Sequence, residues 1–505
     1  MLFAAPVPQW PERKRDAKED GDVTEGSDQE AEPTTGGRFR GRSVPLIVAT
    51  ALLMENIDGT VIATSLPQIA ADLGADPIHL KLALTSYLLA LAVFIPASGW
   101  AADRFGARLI FRLAIVVFAA GSVACAQADT LFELVLARVL QGLGGSMMVP
   151  VGRLIVLRSV PRSDLVSALA WLTIPALIGP VLGPPLGGFI TTFFDWRWIF
   201  WINIPIAVLG FALVTLLIPD VRIDTVRSFD LGGFLLLGPG LGAFLTGVTL
   251  AGLGLSPDLV VWMLSLGGLA LLLAYVPHAL SCPDPIVDLR LVRLRTFRVG
   301  VTGGTLFRIG VGALPLLLPL MFQIGFGLSA FQSGMLTFVA GLGAFCMKFL
   351  AQPILRRFGF RRVLVVNGVV SAVFLLAPAS FTPQTPWLWM MVLLFLGGLS
   401  RSLQFTSINA LGYSDVSAGE LSSATSFSSV LQQLSWSIGI TVAAFGLETM
   451  QVLQGKGPLS LDYFPAVFAG IALVSLLSVI PFARLSPTAG AALLRRGHDS
   501  AEMGH

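Results

Sequence analysis

From Val44 onward the chain alternates long apolar runs with short clusters of charge, proline and glycine. A helix needs about 20 apolar residues to cross the hydrocarbon core of a bilayer. About fourteen runs reach that length, near 45–66, 80–101, 109–127, 132–157, 166–192, 199–218, 230–253, 259–280, 298–322, 330–351, 362–380, 387–411, 420–447 and 463–483. The pattern predicts an all-α polytopic membrane protein. Composition agrees: with 54% hydrophobic and 12% charged residues among 505, the chain is too apolar for a soluble protein of this size. Before Arg42 the character reverses to Asp, Glu, Lys, Pro and Gly with no hydrophobic stretch. That segment is expected to be a disordered tail without a cleavable signal peptide.

The basic residues are unevenly placed. One side of the predicted membrane receives Arg104, Arg108 and Arg112, then Arg158 and Arg162, Arg222 and Arg227, Arg290, Arg293 and Arg295, and finally Arg356, Arg357, Arg361 and Arg362. The other receives little more than Lys81, Arg197 and Lys456. By the positive-inside rule the arginine-rich side is cytoplasmic, and so is each terminus. The net charge of +3 is too small to suggest a nucleic-acid partner. Cys125, Cys282 and Cys346 have no paired spacing, so neither a disulfide framework nor a metal site is expected.

The chain also resembles itself. Asp103-Arg104-Phe105-Gly106-Ala107-Arg108 recurs as Arg356-Arg357-Phe358-Gly359-Phe360-Arg361, and Ser163-Asp164-Leu165-Val166-Ser167-Ala168 is echoed by Ser414-Asp415-Val416-Ser417-Ala418. Two related halves of six helices are a sequence pattern of secondary transporters, whose substrate site lies between the halves. The expected organisation is a tail over 1–43, a six-helix bundle over 44–220, two inserted helices over 221–285, a second six-helix bundle over 286–486 and a tail over 487–505. No GxxxxGK[ST] loop is present, which argues against ATP-driven transport by this chain alone.

Two carboxylates, Glu55 and Asp58, interrupt the first apolar run. Three residues apart, they share a helix face. An acid at that depth costs several kcal/mol unless it is paired, protonated or facing a wet cavity. Arg138 lies about 8 Å inside its helix from the outer end and Asp58 about 12 Å, so the two can pair. The four histidines, His79, His278, His498 and His505, fall in loops, a helix end or the tail, leaving no buried imidazole as a proton relay. The second half contributes Arg308, about ten residues into its helix, and Arg401, near the middle of another; Lys348 is closer to the surface. Arg308 and Arg401, with Gln404, Gln432, Gln433 and Asn56, are the candidate substrate-cavity residues, although the amides serve equally well in helix packing. Three deep arginines against two acids make a basic cavity, which predicts that neutral, zwitterionic or anionic amphiphiles are accepted at least as well as cations.

Several motifs carry a resemblance. Gly99-Trp100-Ala101-Ala102-Asp103-Arg104-Phe105-Gly106-Ala107-Arg108, Ala137-Arg138-Val139-Leu140-Gln141-Gly142-Leu143-Gly144-Gly145 and Gly179-Pro180-Val181-Leu182-Gly183-Pro184-Pro185-Leu186-Gly187-Gly188 resemble motifs of the major facilitator superfamily. Together with Ile57-Asp58-Gly59-Thr60, Asp195-Trp196-Arg197-Trp198 and the two extra helices, they are similar to the fourteen-helix drug:proton antiporters of the EmrB/QacA type. Gly398-Leu399-Ser400-Arg401 and Gln432-Gln433-Leu434-Ser435 resemble the MdtD-type subgroup.

The resemblance implies two pseudo-symmetric six-helix bundles plus two linker helices. It also implies a proton-coupled multidrug efflux antiporter of the bacterial inner membrane, working by alternating access. Asp58 would be the main proton carrier, with Glu55 as a second acid and Arg138 assisting. Gly99, Asp103, Arg104, Gly106 and Arg108 would form a cytoplasmic latch across the half-interface, and Gly179, Pro180, Gly183, Pro184, Gly187 and Gly188 the antiporter motif. The second copy of the latch has Gln352 in place of Gly99 and Arg356 in place of Asp103, which assigns the latch to the first half. The Asp195-Trp196-Arg197 stretch is expected to be an aromatic belt with a local ion pair. No cofactor beyond the proton gradient, small amphiphilic substrates and a monomeric state complete the expectation. The alternatives are an exporter of an endogenous lipid or anionic metabolite, and a non-transporting receptor or scaffold on the same fold.

Overall fold

The computed structural model describes residues 35–160, 165–219, 228–251, 255–417, 420–455 and 459–490. The chain is a bundle of antiparallel helices: α1 Thr35–Asp72, α2 Lys81–Phe105, α3 Ala107–Ala126, α4 Leu131–Ser159, α5 Leu165–Phe193, α6 Trp198–Leu217, α7 Leu231–Leu250, α8 Asp258–Ser281, α9 Arg295–Gly325, α10 Ala330–Phe358, α11 Phe360–Ser380, α12 Trp387–Gly412, α13 Leu421–Leu453 and α14 Leu461–Ala483. Among the described residues, thirteen helices are long and apolar enough to cross a membrane. The fourteenth is α5, and nothing is described of its side chains over 165–177. Residues 1–34 and 491–505 of the expected tails lie outside the described residues, whereas 35–43, expected in the N-terminal tail, are the first turns of α1; the basic positions Arg162, Arg222, Arg227 and Lys456 and the histidines His498 and His505 are also outside.

Ends and breaks follow local chemistry. Thr130 caps α4 by accepting from the Glu133 amide, and Ser329 and Gln332 form a reciprocal capping box at α10. Gly106 and Gly359 occupy the same place in the two copies of the repeated motif. Each has a positive φ, +95° and +74°, where the chain reverses between α2 and α3 and between α10 and α11. The internal repeat therefore preserves a turn that a side chain would strain. α9 is interrupted near Ala313 and ends in a π-turn over Met321–Gly325.

Helices α1 to α6 pack into one half and α9 to α14 into the other. The two largest seams between the halves are α2 against α13 and α5 against α10, with α1 also touching α9. Each pairs the second helix of one half with the fifth of the other, the relation that two repeats imply. Glycine sets the α5–α10 seam. A side chain at Gly188 would overlap the Ala330 backbone, and one at Gly334 the carbonyl of Pro184. The arginine-rich face is called the basic end below, and its opposite the far end. Hydrogen bonds cross between the halves at the far end: Lys81 Nζ to Glu448 at 2.8 Å, Gln323 Nε2 to the Thr64 carbonyl at 2.8 Å, and the Phe331 amide to Thr192 Oγ1 at 2.9 Å.

The inserted pair is peripheral. α7 lies on α2, with Phe234 6.2 Å from Phe94, while α8 leaves Trp262, Met263, Leu266 and Leu273 exposed. Such a face is stable only against lipid or another apolar surface. Near the basic end the pair is tied to the following linker. Asp230 caps α7 through the Gly233 amide at 2.8 Å, meets His278 Nε2 at 2.7 Å and accepts from the Ile286 amide at 3.1 Å; Tyr275 bonds both polar groups of Val287. Burial would push the Asp230 carboxyl up, but its hydrogen bonds from Gly233, His278 and Ile286 hold it below the ordinary 3.8. A lowered folded pKa means that this tether is complete above about pH 4 and is lost on further acidification. Asp230→Ala is expected to cost about 1–2 kcal/mol locally. Hydrogen exchange should then quicken at the Gly233 and Ile286 amides and stay unchanged in α11 and α12.

Candidate functional site

Asp58 sits in the middle of the first half, 2% exposed. Its Oδ2 accepts from Arg138 Nη1 at 2.7 Å, while Oδ1 accepts from Gln141 Nε2 at 2.7 Å and from Asn203 Nδ2 at 2.8 Å. Arg138, 1% exposed, is itself held: Nη1 also donates to Gln141 Oε1 at 2.6 Å and Nε to the Ala83 carbonyl at 3.3 Å. Its guanidinium lies 4.3 Å from the centre of the Tyr87 ring. Ser122 closes the network, accepting from Gln141 at 2.7 Å and from Asn203 at 3.2 Å. Five helices, α1, α2, α3, α4 and α6, thus converge on one carboxylate. A buried ion pair is tolerated where remaining lone pairs and protons find partners, and here most do.

Glycines make the convergence possible. In Arg138-Val139-Leu140-Gln141-Gly142, a side chain at Gly142 would strike the Tyr87 carbonyl, and one at Gly144 the backbone of Phe118. α4 can therefore approach α2 and α3 closely enough for Arg138 and Gln141 to reach Asp58. On the other side of α1, the stripe Gly179, Gly183 and Gly187 of α5 faces Asn56, Thr60 and Val61, with no room for a Cβ at any of the three. Gly188 turns toward α10 instead. The conformation-setting glycines thus place α5 on α1 with one face and on the opposite half with another. Pro180 and Pro184 lie at this second contact, their carbonyls facing Gly341 and Gly334.

Glu55 stands apart from the network. It is partly buried, its Oε2 has no hydrogen-bond partner, and the charged groups acting on it are Asp58 and Arg153. Asn56 bonds back to the Leu52 carbonyl at 2.7 Å and packs against Gly179, so it lies at the α1–α5 contact. At the basic end, Asp103 accepts from Arg158 at 2.5 Å and Arg108 donates to the Thr215 carbonyl. These bonds join α2 to α4 and α3 to α6, all within the first half; the expected clasp across the half-interface is not formed by them. Arg104 is exposed, and Gly99 has open space beside it.

The expected cavity residues are dispersed. Gln404 is enclosed between α11 and α12, donating to the Leu364 carbonyl at 3.0 Å and accepting from Asn367 at 2.8 Å. Arg401 donates to Gly397 at 3.3 Å and lines a small cavity with Leu314, Ser371 and Phe374. Arg308 lines a different cavity with Asn409 and Tyr413. Gln432 and Gln433 are half-buried on α13.

Four members of the Asp58 network, Gln141, Asn203, Ser122 and Tyr87, were not foreseen as site residues. Gln141 stands one turn from Arg138 in the same motif, which is a usable signal. Asn203 interrupts an apolar run and was hidden by the aromatic residues beside it. The belt itself is less local than expected: Arg197 reaches Asp72 at 2.7 Å and Asp129 at 3.4 Å as well as its neighbour Asp195 at 3.7 Å. Lys81, one of the few basic residues of the far side, pairs with Glu448, 367 residues away in sequence; the lysine is wholly buried and the acid partly exposed.

Comparisons with known proteins match this architecture. A family model described as Major Facilitator Superfamily matches residues 48–440 and 300–498. A Klebsiella pneumoniae protein is 41% identical over 468 residues, covering 90% of this chain and 97% of that protein. An Escherichia coli K12 protein is 41% identical over 451 residues, covering 87% and 93%. Both carry the provisional name multidrug resistance protein MdtD. Among solved structures, a POT family peptide transporter aligns with a TM-score of 0.65 at 17% identity, covering 90% of this chain and 96% of that one. A D-xylose-proton symporter aligns at 0.61 and 16%, covering 89% and 98%.

Removing one partner of a buried ion pair strands the other, at about 3–5 kcal/mol. Arg138→Ala is therefore expected to lower the thermal unfolding temperature of the purified protein by several degrees. The double variant Asp58→Asn/Arg138→Gln should be more stable than Arg138→Ala alone, since it leaves no unpaired charge; thermal unfolding followed by intrinsic tryptophan fluorescence checks both.

Proposed function

Because the chain belongs to the major facilitator superfamily and is a multi-pass membrane transporter of the multidrug type, we propose that it is a proton-coupled exporter of small amphiphiles. In this reading it works by alternating access, with Asp58 as the main proton carrier. The observation that supports this most is the buried Asp58–Arg138 pair, because protonating Asp58 would neutralise one side of it. The uncompensated guanidinium then costs about 3–5 kcal/mol, enough to shift a two-state equilibrium by roughly a hundredfold or more. A proton at Asp58 can thereby bias which conformation the halves adopt. Glu55 supplies a second acid on the same helix, with Arg153 of α4 as the basic group acting on it.

The far end is external in this reading, by the arginine asymmetry. It is closed by the Lys81–Glu448 pair, whose lysine is wholly buried, and by the glycine contacts between α5 and α10. Outward substrate movement requires these contacts to part, and inward proton movement requires Asp58 to become accessible from the outside when they do. The substrate side is then reached from the basic end. Export of an endogenous anionic metabolite or lipid uses the same coupling, and the second-half arginines favour it as a second reading.

Proteoliposomes with the basic end outward and an acid lumen test the coupling. Wild-type protein is expected to accumulate an amphiphilic dye in the lumen. Asp58→Asn should abolish accumulation while preserving downhill exchange, and Glu55→Gln should reduce it less. Accumulation undiminished in Asp58→Asn would overturn the assignment.

A further inference from the structure

Arg308 is a buried charged side chain that the coupling network leaves unexplained. It is 4% exposed, on α9 in the second half. Side chains on a helix lean toward its N-terminus, which for α9 is the basic end. The guanidinium accordingly lies beside Gly304, one turn earlier, where a Cβ would come within 2.8 Å of Nη1. Nη2 donates to Asn409 Oδ1 at 2.9 Å, and the Nε proton has no partner. The Phe405 ring centre is 5.9 Å from the guanidinium carbon.

No carboxylate pairs with Arg308 among the described residues; the ionisable group that acts on it is Tyr413. Asp415, two residues beyond Tyr413, accepts from Thr296 at 2.7 Å and from Ser414 at 3.2 Å. A guanidinium buried without a counter-anion is costly, so an anion from outside the chain is the natural complement. A route exists. Arg308, Asn409, Tyr413 and Ser428 line a narrow cavity walled by Phe297 and Leu431, between α9, α12 and α13 toward the basic end. Arg401 is not part of it.

We propose that this cavity is a binding subsite for the head of an organic anion, with Arg308 as its charge and Asn409 as the group that orients the guanidinium. The inference deepens the transport reading above and rests on it for direction: the subsite faces the side from which an exporter loads. A carboxylate takes the unpartnered Nε proton in the planar geometry that guanidinium favours. An apolar tail lies along Phe297 and Leu431. The ligand class is therefore an amphiphilic monoanion, a carboxylate or sulfonate on an apolar body.

The test uses full-length purified protein and two probes with one tail and opposite heads, pyrenebutyrate and pyrenebutylamine. Equilibrium binding is followed by fluorescence in detergent and in phosphatidylcholine nanodiscs with and without phosphatidylglycerol. Arg308→Gln is expected to weaken pyrenebutyrate about 10- to 100-fold and leave pyrenebutylamine nearly unchanged, with Arg308→Lys intermediate and equally folded. Pyrenebutyrate binding that is absent in wild type, unaffected by Arg308→Gln, or weakened only in step with pyrenebutylamine overturns the proposal. So does phosphatidylglycerol abolishing it in wild type, since a lipid headgroup then holds the site. No proton gradient is involved, so a failed Asp58→Asn test leaves this result standing, and a failed binding test leaves the coupling result standing.

Discussion

An ionised carboxylate surrounded by helices has no water to solvate it, and much of the first half is arranged around that constraint at Asp58. One guanidinium and two amides supply the missing solvation, and each comes from a different helix or a different turn. To deliver them, α4 must approach α2 and α3 until backbones touch, which is why glycines recur beside Arg138 and Gln141. The packing of the half and the charge state of one side chain are therefore linked. In the proposed coupling, a proton would act on conformation through this linkage, because neutralising the acid removes the reason for the donors to point inward.

The halves are joined on different terms. Within the first half the polar network and the glycine stripe of α5 hold α1 tightly. Between halves, the α5–α10 seam is glycine meeting backbone, and the far end adds one ion pair with a buried lysine and two hydrogen bonds to main chain or hydroxyl. Contacts of this kind are specific when formed, because they depend on glycine positions and on single polar partners. At the basic end the Arg158–Asp103 pair and the Arg108 bond to the Thr215 carbonyl both lie inside the first half. The two ends are thus held by different chemistry.

Much of the helix order was legible in the sequence, because in a bilayer a run of apolar residues of sufficient length has few alternatives to a spanning helix. The duplicated turn was legible too: Gly106 and Gly359 stand at equal places in a repeated motif, and both prove to need a positive φ. Asp58 and Arg138 could be matched by depth alone, since two helices of the same half share a membrane frame. Asn203, Ser122 and Tyr87 could not, because which face of each helix turns inward depends on packing that no single segment encodes. Gln404 shows the converse: a polar residue at cavity depth that neighbouring helices consume entirely.

By itself the sequence determined the spans, the two-half organisation, the family motifs and the presence of deep charges, all consequences of local composition and spacing. The tertiary structure decided which charges meet. Asp58 found a cation and two amides, Lys81 found Glu448 across the half-interface, and Arg308, among the described residues, found an amide and a cavity but no carboxylate. The reason is physical: the cost of burying a charge is set by its depth, which the sequence fixes, whereas its compensation depends on helix rotation and contact between segments hundreds of residues apart.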